Sequence, residues 1–290
     1  MAEMIPGEPQ SASDYDDRTT AAVKTVLVEI GQILGSFKGK FAIVGGAVPW
    51  LLLGNNEDMP HVGTIDVDLG LDAEALGDGE YATLVDALLG HGYEQRTQLR
   101  RFQLVRRVPA HDGGVPIDVV IDFLMPRDAE IVKNVPPLIS DFAVQRADGA
   151  DLAVRFYQMV AIAGPMPTGG TNRVEVAVCS IPALLAMKGH AIEGRYKQKD
   201  AYDIYYCVRN YPGGPEALAH ACLPLLDHAS GAAGYGFIAS KFDAVDSFGP
   251  TCVRHFVEDT NVLGDRSPDQ WQQDAFGQVD AWLRALGLRT

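Results

Sequence analysis

The sequence is poor in residues that staple or ligate. Only four of its 290 residues are cysteine (Cys179, Cys207, Cys222 and Cys252), and no two form a CxxC pair. No disulfide framework or thiolate zinc site is expected, and the four read as small apolar residues in a reducing compartment. Positive charge is scarce too: Lys plus Arg number 24 against 38 for Asp plus Glu, a formal net charge of −14. Affinity for a nucleic-acid backbone comes from neutralising many phosphates, so a chain this acidic is not a general binder of long nucleic acids. The same deficit argues against docking on a membrane surface through a polybasic face. No run of about eighteen apolar residues is present to span a bilayer. The amino terminus lacks a basic segment followed by an apolar one, so no signal peptide is expected and the location should be cytoplasmic. Several catalytic signatures are missing as well. There is no GxxxxGK[ST], since Gly39-Lys40 lacks the following Ser or Thr, and neither HExxH nor GxSxG occurs.

What remains is a globular composition, 47% apolar and 21% charged, long enough for one large domain or two modest ones. Residues 1–19 are acidic and polar and read as a disordered or loosely docked tail. Helical spacing of Val23, Val26, Leu27, Ile30 and Leu34 predicts a helix over Thr20–Ser36. A short apolar strand, Phe41–Val44, then ends at Gly45-Gly46, and a helix over Ala47–Leu53 follows. Thr64–Leu71 reads as a strand and Tyr81–Leu89 as a helix. A hairpin is expected from Arg100–Val108 and Val115–Leu124 around His111-Asp112-Gly113-Gly114. Strand-like sequence continues over Phe142–Val160 and Arg173–Val178. From Ser180 the pattern turns helical, with expected helices at Ser180–Glu193, Lys197–Val208, Glu216–Leu226 and Pro268–Leu286. The division is therefore a mixed α/β half over 20–179 and a helical half over 180–290, with no internal repeat. The helices after Gly213 carry no readable motif.

The sharpest feature is Thr64-Ile65-Asp66-Val67-Asp68-Leu69. On a strand Asp66 and Asp68 share one face while Ile65, Val67 and Leu69 pack the other. Two carboxylates so close repel unless a cation lies between them, and hard divalent ions prefer such oxygen ligands. Gly45-Gly46, between strand and helix, lets the backbone approach a phosphate and aims N–H groups at it. Ile117-Asp118-Val119-Val120-Ile121-Asp122 offers two more carboxylates on one face of a later strand. Each feature alone also fits an ordinary tight turn or a solvated sheet face.

In this order the three resemble the nucleotidyltransferase (polymerase β-like) superfamily. The resemblance implies a nucleotidyltransferase-like mixed sheet with flanking helices, of the α/β (α+β) class, followed by the helical C-terminal half. It implies that Asp66, Asp68 and Asp118 are the catalytic, metal-binding carboxylates, holding two Mg²⁺ or Mn²⁺ ions. Asp118 is preferred to Asp122 because it stands near the start of its strand, and it is also the expected base. Gly45, Gly46 and Thr64 would lie against the nucleoside triphosphate. One departure is the nineteen residues between Gly46 and Asp66, which make Asn55–Val62 look like an insertion.

A second cluster runs from Ser180-Ile-Pro-Ala-Leu-Leu-Ala-Met-Lys188 to Arg195-Tyr-Lys197-Gln-Lys199-Asp200-Ala-Tyr-Asp203. Read as composition it is a solvated, salt-bridged helix. It is also similar to the last two motifs of AbiEii/AbiGii toxin-type nucleotidyltransferases. That likeness implies Lys188 on a phosphate and Lys199, Asp200 and Asp203 at the active cleft. The activity implied is transfer of a nucleoside monophosphate from an NTP to an acceptor hydroxyl, with release of pyrophosphate. The acceptor stays open between an RNA end, a protein and a small molecule. An antitoxin partner, or a nucleotide-binding regulator without turnover on the same fold, also stays open.

Other residues are less committed. Arg96, Arg100, Arg101, Arg106 and Arg107 form a local basic segment that fits either phosphate oxygens or surplus carboxylates. On a strand, Arg101 and Arg107 would face one way and Arg100 and Arg106 the other. His61 reads as an ordinary loop histidine, and Tyr202, Tyr205 and Tyr206 as core or cleft wall.

Overall fold

In a computed structural model of the chain, the described residues are 12–54, 59–77, 79–96, 99–101, 103–129, 144–258 and 264–290. They form two compact units, one from 16–48 and 63–180 and the other from 12–15, 49–62 and 181–290.

The first unit is built on a mixed sheet. Its strands are β1 (Phe41–Val44), β2 (Asp66–Leu71), β3 (Tyr93–Glu94), β4 (Gln103–Val108), β5 (Ile117–Pro126), β6 (Gln145–Ala147), β7 (Tyr157–Pro165) and β8 (Thr171–Cys179). They run in the order β3-β4-β5-β2-β1-β8-β7, with β6 pairing beyond the middle of that path on β5. β1 is antiparallel to β2, while β2 and β5 are parallel, so the Gly45-Gly46 turn comes at the end where β2 begins. Alternation dictates the faces. Val67, Leu69, Val119, Ile121 and Phe123 are completely buried on one side, while Asp66, Asp68, Asp118 and Asp122 stand half-buried on the other.

Helix α1 (Asp17–Ile33) starts three residues before its expected first residue, because Asp16 caps it by accepting from the Thr19 N–H at 2.5 Å. The chain past Ile33 tightens into a 3₁₀ turn at Gly35–Phe37. Residues 12–16 are thus ordered, and residues 1–11 of the expected tail lie outside the described residues. Helix α2 (Ala47–Leu53) follows the glycine pair, and α3 (Glu80–Leu89) sets Tyr81 edge-on to Phe123, with ring centres 6.0 Å apart. The continuous strand expected over Phe142–Val160 is not formed. Residues 142 and 143 fall outside the description, and Gly149, at φ 77°, turns the chain into helix α4 (Ala150–Arg155), which buries Ala150, Leu152 and Ala153. That helix covers the far end of the acidic face, with Ala153 lying against Gly70. The start of β4 at Gln103 also corrects the arginine alternation, since Arg100 and Arg101 precede the strand.

The second unit holds α5 (Ile181–Gly194), α6 (Gln198–Asn210), α7 (Gly214–Leu226), α8 (Ala229–Lys241), α9 (Phe248–Glu258) and α10 (Pro268–Ala285). The sequence pattern does not predict helices α8 and α9. α8 carries Gly231, Gly234 and Gly236, which local propensity penalises. Packing reverses the sign: Gly189 of α5 lies so close to Gly234 of α8 that a Cβ on either would strike the other helix's backbone. α10 opens with a capping box between Ser267 and Gln270, contributing about 1 kcal/mol. All four cysteines are buried and none forms a disulfide. Among the described residues no helix is long and apolar enough to cross a membrane.

Candidate active site

Two clusters carry chemistry, one in each unit. In the sheet unit, Gly45 holds φ at 70°, a conformation that L side chains rarely adopt. A Cβ at this position would collide with the Asp68 carboxylate, so the glycine both makes the turn and lets the carboxylate lie against the backbone. Register agrees, because Val44 pairs with Asp68. Thr64 is buried, and its hydroxyl donates to Asp66 Oδ1 at 3.0 Å, which fixes that carboxylate from below the strand's start.

The parallel pairing of β2 with β5 decides which carboxylates are neighbours. Asp68 stands directly beside Asp122, and Asp66 beside Val120. Asp118 lies one step further along β5 and is held by arginine. Arg96 Nη1 donates to its Oδ2 at 2.6 Å, and Arg107 Nε lies 3.8 Å from its Oδ1. Two of the five arginines therefore serve a carboxylate on the acidic face. Arg106 turns inward to Glu29, at 2.8 and 2.9 Å, and its guanidinium lies over the Tyr93 ring. Arg100 and Arg101 are exposed.

The donor chemistry of Asp66, Asp68 and Asp122 suits a hard divalent cation: carboxylate oxygens on one face of adjacent strands, beside a backbone turn cleared by glycine. Among the described residues no three His, Cys, Asp or Glu side chains are drawn around a common point. The face thus supplies the ligand types and their neighbourhood rather than a closed coordination shell.

In the helical unit, Lys188, Lys199, Asp200 and Asp203 come together. Lys188 Nζ lies 2.6 Å from Asp200 Oδ1 and 2.8 Å from Asp203 Oδ2, bridging both carboxylates. Lys199 Nζ reaches Asp203 Oδ1 at 2.7 Å, and Arg195 Nε reaches Asp200 Oδ2 at 2.8 Å. Neither Asp side chain has any exposure, whereas Arg195 is about half exposed. Burial alone would push Asp203 upward, but Lys188 and Lys199 hold it well below the usual carboxylate range. Burial likewise opposes charge on Lys188, and its two carboxylates overcome this and raise it. On Lys199 burial prevails and lowers it.

His61 corrects the reading of an ordinary loop residue. Its imidazole is wholly buried, with Nε2 3.2 Å from Asp203 Oδ1 and the ring edge-on to Tyr206, centres 4.7 Å apart. Burial, and then the charge of Lys199, lower it to about 4, so the ring is neutral and Nε2–H donates to the carboxylate. Tyr206 donates to the Leu53 carbonyl at 3.1 Å, so the last residue of α2 and His61 are both tied to α6. Nothing in the local sequence marks His61 out, because its partner stands 142 residues away. Tyr202, Tyr205 and Tyr206 are fully buried, as a core reading requires.

A model of the nucleotidyl transferase AbiEii toxin family, of type IV toxin–antitoxin systems, matches residues 60–280. The chain belongs to the AbiEii family. The matched segment contains Asp66, Asp68, Asp118, Asp122, His61 and the whole lysine–aspartate cluster, and begins after Gly45-Gly46. A search of curated proteins found no match. The mixed sheet with its helical partner unit is consistent with a nucleotidyltransferase-like fold, and the family describes the chain as a transferase toxin.

Proposed function

We propose that this AbiEii-family chain moves a nucleoside monophosphate from an NTP to an acceptor hydroxyl, releasing pyrophosphate. The observation that carries this reading is the acidic face: Asp68 folded against the Gly45 turn, Asp66 fixed by Thr64, and Asp122 beside Asp68. Between the two carboxylates of β5, the register favours Asp122 as the third ligand, because it stands directly beside Asp68. Bound at these carboxylates, two Mg²⁺ or Mn²⁺ ions would offset the charge gathering on the phosphoryl oxygens. Gly45 and Gly46 would give the triphosphate a backbone approach, and a side chain at Gly45 would displace the Asp68 carboxylate beside it. The acceptor oxygen bonds to the α-phosphorus as the α–β bridging P–O bond breaks, and the acceptor's proton passes to a β5 carboxylate oxygen.

The resemblance also placed Lys188, Lys199, Asp200 and Asp203 at the nucleotide. Every one of these side chains is engaged inside the helical unit, so a phosphate on Lys188 would have to replace a carboxylate. We therefore assign the cluster first to holding α5 and α6 together. The acceptor is an RNA end, a protein or a small molecule, and the toxin–antitoxin setting supplies an antitoxin as the expected partner.

The test is calorimetric titration of each NTP with Mg²⁺ and again with EDTA, paired with label transfer from an α-labelled NTP. Metal-dependent binding that is lost in the Asp66→Ala, Asp68→Ala double variant supports the reading. Binding that is unaffected by EDTA and by both substitutions removes the acidic face from the site.

A further inference from the structure

The two ends of the sheet are finished differently. At one end β3 is two residues long and includes Glu94, and a short, charged edge resists pairing with another strand. At the other end β7 presents nine residues, Tyr157-Gln-Met-Val-Ala-Ile-Ala-Gly-Pro165, with no charge among them. Among the described residues it pairs on one side only, with β8. That pairing runs without a bulge from Tyr157↔Cys179 to Pro165↔Thr171, so nothing twists the outer edge away. Tyr157 and Met159 are 42% and 39% exposed, high for large apolar side chains on a strand.

We propose that β7 is the interface between two copies of this chain, pairing antiparallel with itself about a two-fold axis at Ala161. The sequence of the strand is complementary to its own reverse. With Ala161 opposite Ala161 of the second copy, Met159 falls opposite Ala163 and Tyr157 opposite Pro165, so each large exposed side chain meets a smaller one. A different chain would have no reason to match that order, whereas a closed two-fold pair meets it at both ends at once. Charge points the same way. Two copies each carrying −14 repel over most of their surfaces, and β7 is a strip on which no like charges are brought together. The strip is about 30 Å long at about 3.4 Å per residue. An edge of that size belongs to the small class of interfaces, so the dimer forms and dissociates with concentration.

Sedimentation velocity on the full chain from about 1 to about 100 µM tests the proposal. The expected result is a shift from monomer to dimer across that range. Ala161 is exposed, so Ala161→Lys leaves the monomer folded, checked by an unchanged circular dichroism spectrum and melting temperature. It sets two like charges directly opposite each other at the axis, and the variant should stay monomeric throughout. Ala161→Glu should do the same, and an equimolar mixture of the two variants should associate again. A wild-type chain that is monomeric at every concentration overturns the proposal and leaves the edge to a strand from another chain. So does an Ala161→Lys variant that dimerises like wild type, or a mixture that stays monomeric.

Discussion

Replacing His61 by glutamine, which keeps a donor near Asp203 but cannot titrate, should change how the stability of the helical unit depends on pH. In the folded chain burial holds His61 at about 4, against an ordinary 6.5. Between those values the unfolded chain binds a proton that the folded chain refuses, so stability rises with pH in this window. The contribution is complete above about pH 6.5 and is lost as pH falls toward 4. One pKa unit corresponds to about 1.4 kcal/mol, so the full window is worth about 3 kcal/mol, and the part between pH 7 and pH 5 about 2 kcal/mol. The three tryptophans, Trp50, Trp271 and Trp282, all lie in the helical unit, so their fluorescence during urea unfolding reports on it. The gap in unfolding free energy between wild type and His61→Gln should shrink by about 2 kcal/mol from pH 7 to pH 5. A gap that stays constant would refute the reasoning, because His61 would then titrate alike in both states.

Three further outcomes follow from the same geometry. Asp203→Asn leaves Lys199 buried without its carboxylate and should cost about 3–5 kcal/mol in urea unfolding, while Lys199→Met should cost only about 1–2 kcal/mol, because Asp203 keeps Lys188 and His61. Gly45→Ala forces a side chain onto the Asp68 carboxylate at a positive φ. It should lower stability by about 1–3 kcal/mol and abolish calorimetric NTP binding. The Tyr202 hydroxyl is buried with no hydrogen-bond partner among the described residues, so Tyr202→Phe should leave the unfolding midpoint unchanged or slightly raised, within about 1 kcal/mol.

The acidic strand was legible because alternation is local: Asp66 and Asp68 must share a face, whatever the rest of the chain does. The glycine pair was legible for the same reason, and its collision with Asp68 supplies the cause. Strand register is not local. The place of Asp118 near the strand's start is legible in the sequence, whereas the β2–β5 register that sets Asp122 beside Asp68 has no sequence signal of its own. His61 was invisible for a related reason, since it is buried against Asp203 of α6, 142 residues away. Helix α8 was hidden by its glycines, whose cost is recovered only when α5 lies against them. In α4, an apolar stretch suited to strand or helix was decided by the turn at Gly149.

The most direct test of the central claim is Mn²⁺ binding followed by electron paramagnetic resonance, with a non-hydrolysable NTP analogue present, in Asp122→Asn and Asp118→Asn. If the carboxylates beside Asp68 form the metal site, Asp122→Asn loses nucleotide-dependent Mn²⁺ binding and Asp118→Asn retains it. Full Mn²⁺ binding in Asp122→Asn, with loss in Asp118→Asn, would contradict the assignment of Asp122 and return the third ligand to Asp118. Unchanged binding in both would place the metal away from β5 altogether.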